Sequence, residues 1–92
     1  MQEAYRFDER SYDALDAAAV TWQTVQHVLR NRPRVRRHIG AVLHIAGQGP
    51  DRRWYMVALV EEAADEYLVV GARRLDDTEI QAVSKMLERG AP

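Results

Sequence analysis

The chain contains no cysteine, which excludes a disulfide framework, a thiolate zinc site and a cysteine nucleophile. It has no apolar stretch approaching the roughly 20 residues that a membrane-spanning helix requires. Acids and arginines interrupt its opening segment, where a secretory signal would show a continuous apolar block. A cytoplasmic protein with no membrane partner is therefore expected. Also missing are a glycine-rich phosphate loop, a His-Glu-x-x-His pair and a serine flanked by the glycines of a nucleophile elbow. P-loop chemistry and zinc hydrolysis are not expected, and no cofactor or metal is implied.

What is present is the composition of an ordinary globule, 47% hydrophobic and 29% charged over 92 residues. That length fits a single domain over 1–92, close to the size at which stability becomes marginal. A partner, a second copy of the chain included, would add to its stability. The net charge of -1 conceals an uneven distribution. Arg30, Arg32, Arg34, Arg36 and Arg37 make one strongly basic segment, and the remainder of the chain is acidic. Such asymmetry can steer an anionic ligand to one face, although a solvated basic loop has the same composition.

Residues 4–7 fit a short opening strand. The acidic start at Asp8 and Glu9 then suits the N-terminus of a helix over about 9–19. Thr21 is placed to cap a second helix in which Trp22, Val25, Val28 and Leu29 recur at helical spacing, and Pro33 ends it. "RRHIGAVLHIAG" reads as one strand with Ile39, Ala41, Leu43 and Ile45 on its core face. "GQGPD" reads as a hairpin connection, "RRWYMVALVEE" as the next strand, and "EYLVVGARR" as the last, after a turn near Ala64 and Asp65. Asp76 and Glu79 have the spacing of a capping box ahead of a final helix carrying Ile80, Val83, Met86 and Leu87, with Gly90 at its stop. The expected fold is α+β, an antiparallel meander of three to four strands with N-terminal helices and a C-terminal helix covering one sheet face.

No single motif carries the chemistry. On one regular strand His38 and His44 would stand about 20 Å apart at 3.3 Å per residue, so they could not work on one phosphate together. Arg73 is the stronger candidate, because a guanidinium keeps its charge and offers a planar fork to phosphate from the end of a stiff strand. Pairing about the turn near residue 64 would set Arg73 opposite Trp54. The plain alternative is a salt bridge to Asp76, Asp77 or Glu79. Arg52, Arg53 and Tyr55 cluster by the hairpin, and the same pairing brings them towards His44. Arg53 would then assist at phosphate, while His44 or Tyr55 moves a proton. This set suffices for metal-independent RNA cleavage by attack of a ribose 2′-hydroxyl on its own phosphate. Arg34, Arg36, Arg37 and Arg52 are candidates for binding the RNA strand. The competing expectation is a non-catalytic module that binds protein or nucleic acid. A DNA-reading role for the second helix is less favoured, since Trp22, Val25, Val28 and Leu29 suit a core helix.

Phe7-Asp8, "VTWQTVQHVLRNRP" at 20–33, Ile39-Gly40, Ala72-Arg73 and Glu79 together resemble the BrnT-type toxins of bacterial type II toxin-antitoxin modules, small ribonucleases on a RelE-like fold. The likeness covers most of the chain. It implies a growth-inhibiting, RNA-cleaving toxin neutralised by a cognate antitoxin, with Arg73 and Glu79 as functional positions. One departure bears on activity: Ala17, Ala18 and Ala19 stand where the family has Lys-His-Gly.

Overall fold

The computed structural model describes residues 3–89, so Gly90 and its expected helix stop lie outside the described residues. Its elements run β1 (Ala4–Arg6), α1 (Glu9–Ala17), α2 (Trp22–Arg30), β2 (Arg34–Ile39), β3 (Val42–Gln48), β4 (Trp54–Ala63), β5 (Glu66–Arg74) and α3 (Asp77–Glu88). They form an α+β fold around a five-stranded sheet in the order β1-β5-β4-β3-β2. Strands β2 to β5 are an antiparallel meander, and β1 adds to β5 in parallel, which makes the sheet mixed.

Side-chain caps start all three helices. Asp8 accepts from the Ser11 amide, and the Ser11 hydroxyl accepts from the Asp8 amide. Thr21 accepts from the Thr24 amide. Asp76 and Glu79 close the capping box that their spacing predicts, at 2.8 and 3.0 Å. Each cap satisfies amides that the first helical turn leaves without partners.

Two expectations are corrected. The stretch read as one strand is a hairpin, β2 and β3, turning at Gly40 and Ala41 with Ile39 opposite Val42. Gly40 has φ 61°, which suits the first central position of a two-residue hairpin turn and which glycine adopts without steric cost. Ile39 and Ala41 consequently lie exposed instead of in the core, where Leu43 and Ile45 remain. The helices also cover both sheet faces, not one. Leu15, Val25, Val28 and Leu29 from α1 and α2 meet Leu43, Ile45, Val57, Leu59 and Val69. On the reverse face α3 brings Val83, Ile80 and Leu87 against Ala46, Val35, Trp54 and Met56. The meander alternates, so each strand has an apolar row for either layer. Among the described residues, no helix is long and apolar enough to cross a membrane.

Candidate functional site

The α3 side of the sheet holds a groove of about 480 Å³. Its floor follows from register. Arg37, His44, Ala58 and Gly71 occupy one row across four strands, and Val35, Ala46, Met56 and Arg73 the next. Ala46, Ala58 and Gly71 are too small to fill the space under α3, whose Ala82, Val83 and Met86 make the far wall. The lining is mostly apolar, with Arg37, His44, Arg73 and Glu79 as its polar members.

Arg73 reaches this face because of a break in strand alternation. Val69 faces the α1/α2 core, and unbroken alternation would send Arg73 to the same side. Leu59 pairs with Val69 while Ala58 pairs with Gly71, so Val70 is an extra residue in β5 that shifts everything after it to the opposite face. Arg73 stands opposite Met56 instead of Trp54, correcting the expected partner: the shift between Glu61 and Ala63 and the one at Val70 offset each other, so the pairing keeps the register that Ala63 and Glu66 set at the turn.

The Arg73 fork is held end-on by Glu79, Nη1 donating to Oε1 at 2.7 Å and Nη2 to Oε2 at 2.5 Å. Of the three carboxylates expected to compete for it, Glu79 is the one that pairs. That hydrogen bond, followed by the one from the Asp76 amide, pulls the Glu79 carboxyl down from 4.5 to about 2. It stays ionised at neutral pH and cannot supply a proton. Glu79 thus positions Arg73 while capping α3, and the Arg73 side chain remains 56% exposed.

His44 sits on the groove face beside Arg37. Its Nδ1 is buried and has no hydrogen-bond partner among the described residues. The ring lines the groove, and Nε2 is the nitrogen a bound ligand could meet there. At roughly 4.8 Å per strand and one row of about 6.6 Å along the strands, His44 on β3 and Arg73 on β5 lie about 12 Å apart across the sheet, a span that two long side chains and a phosphate between them can bridge. The expected 20 Å between His38 and His44 is overturned by the hairpin. His38 pairs with Leu43 and so projects from the opposite face to His44.

The hairpin residues do not join this set. Tyr55 pairs with Gly47, three positions from His44, and an odd offset puts the two on opposite faces. Tyr55 is buried in the α1/α2 core and donates to Asp51 at 2.7 Å. Burial, then the Asp51 carboxylate, pushes its phenol pKa up, which makes it a poor source of a phenolate base at neutral pH. Arg53 lies 3.9 Å from Asp51 on the β3–β4 turn, and Arg52 helps build that turn with φ 66° and its carbonyl accepting from Gln48. Two arginines of the basic segment also have structural duties on the α1/α2 side. The Arg34 guanidinium donates to the Leu29 carbonyl at the end of α2, and Arg36 pairs with Glu3 at 2.6 Å. That pair ties β2, at one edge of the sheet, to the residue immediately before β1, at the other.

Ser11 is a tie that the sequence reading overlooked. It is fully buried and donates its hydroxyl to the Val69 carbonyl, anchoring α1 to β5 just before the extra residue. A serine three residues after an acidic N-cap was the available signal. The α3 wall of the groove was likewise overlooked, since Met86 and Val83 read simply as a core stripe.

Comparison of the chain with protein-family models, with curated proteins and with solved structures found no match.

Proposed function

We propose that the chain is the toxin of a type II toxin-antitoxin module, a BrnT-like protein on a RelE-like fold that cleaves RNA without a metal and is held inactive by a cognate antitoxin. The observation that carries this reading is the meeting of Arg37, His44 and a braced Arg73 around one groove. In the proposed step, His44 Nε2 takes the proton from a ribose 2′-hydroxyl as the 2′-oxygen forms a bond to the adjacent phosphorus. The bond from phosphorus to the 5′-oxygen breaks, and the leaving oxygen takes a proton from water. Arg73 and Arg37 offset the charge that gathers on the phosphoryl oxygens, and Glu79 fixes the Arg73 fork beforehand. Arg52 and Arg53 are left as contacts for the strand beyond the groove.

The test uses the chain freed of any copurifying partner and incubated with RNA in chelator. Cleavage leaving a 2′,3′-cyclic phosphate is expected, falling roughly 100- to 1,000-fold in Arg73→Ala and by about 100-fold or more in His44→Ala. Intact RNA under these conditions would overturn the nuclease reading. The second reading, a non-catalytic binding module, is favoured by the apolar groove lining and by the Arg73 charge already being matched by Glu79. It expects unchanged RNA and a stable complex.

A further inference from the structure

The open edge of β2 is a second feature with binding chemistry. Among the described residues, strand β2 pairs only with β3, so its outer edge presents backbone groups with no described strand beside them. Arg36, Arg37, His38 and Ile39 are all exposed, Ile39 at 56%. An exposed edge is a template for a further strand, and edge charges decide which strand is accepted. Arg37 and Ile39 also line the groove, so a strand added here would carry side chains over its mouth.

We infer that this edge accepts an acidic extended segment of a partner protein as a sixth strand. The register specifies its chemistry. Opposite Val35 and Ile39 the incoming strand meets apolar surface, and between them it meets Arg37 and His38 together with Arg36, whose charge is already shared with Glu3. The matching segment has an apolar residue at each end and carboxylates between. A second copy of this chain is a poor occupant, because antiparallel pairing of β2 with itself sets cations against cations, and like charges directly opposite are destabilising. Single-stranded RNA would use the charges but leave Ile39 and the edge amides unused. The inference does not depend on RNA cleavage, although a strand docked here would exclude RNA from the Arg37 side of the groove.

The probe is a synthetic peptide with valine–glutamate–glutamate–glutamate–valine between flexible flanks, and the control has lysine for glutamate. Binding is read by fluorescence anisotropy and by amide hydrogen exchange, without RNA. The acidic peptide is expected to slow exchange along β2 and to bind at least roughly tenfold more tightly than the control. Arg37→Glu is expected to reverse that preference, and Ile39→Glu to weaken the acidic peptide, with circular dichroism confirming that both variants fold. Three results would each overturn the inference: equal binding of both peptides, unchanged exchange in β2, or stronger protection of the same amides by oligouridylate. Failure here leaves the RNA-cleavage assay unaffected, and the reverse holds.

Discussion

The two faces of the sheet are built from the same strands yet finished differently. On the α1/α2 face Val25, Val28, Leu43, Ile45, Val57, Leu59 and Val69 are completely buried, and two capped helices close over them. On the α3 face one helix covers a floor containing Ala46, Ala58 and Gly71, and the shortfall in volume leaves a groove with arginines and an imidazole at its margin. The first face supplies stability through close packing. The second gives up some burial, and polar side chains can meet a ligand there because water and solutes reach them.

The sharpest way to break this contrast is to truncate one side chain on each face. Ile45→Ala is expected to cost about 2–5 kcal/mol in urea unfolding, because the sealed core cannot collapse around the cavity. Met56→Ala, half-buried on the groove face, should cost clearly less, and an equal loss would erase the distinction. Next in size is Ser11→Ala, which leaves the Val69 carbonyl buried without its donor, at an expected cost of about 1–3 kcal/mol. Hydrogen exchange in β5 should then rise most around Val69.

The smallest effect concerns pH. The folded-state pKa of Glu79, about 2, lies below its ordinary 4.5. Its ionised form therefore favours the folded state above pH 4.5, and that contribution is lost as pH falls towards about 2. Asp8 and Asp51 are also lowered, mainly by hydrogen bonds from Ser11 and Tyr55 respectively, and act in the same direction. Glu79→Gln should flatten the acid limb of the stability curve without abolishing it. An unchanged limb would mean that the Arg73–Glu79 pair is not maintained in solution.

Much of the architecture was legible along the chain because its signals are local. Thr21 and the Asp76–Glu79 pair mark helix starts wherever the rest of the protein lies, and Ala64 and Asp65 do form the turn between β4 and β5. The β2–β3 hairpin was missed because hydrophobic alternation runs on through a two-residue turn, leaving Gly40 as its one sign. The candidate site was legible in part. Arg73, Glu79 and His44 were named as candidates, and Arg37 as a candidate for binding the RNA strand, but Tyr55 was grouped with His44 although strand parity separates them.

By itself the sequence determined the order of helices and strands apart from the division of β2 from β3, the helix caps and the residue types available for phosphate, since these depend on neighbours a few positions apart. Only the tertiary structure decided which face each strand residue occupies. A single extra residue at Val70 turns Arg73 from the sealed core side to the groove. An extra residue changes side-chain parity for the rest of a strand, and it is defined only by pairing with β4, which no stretch of β5 alone can express.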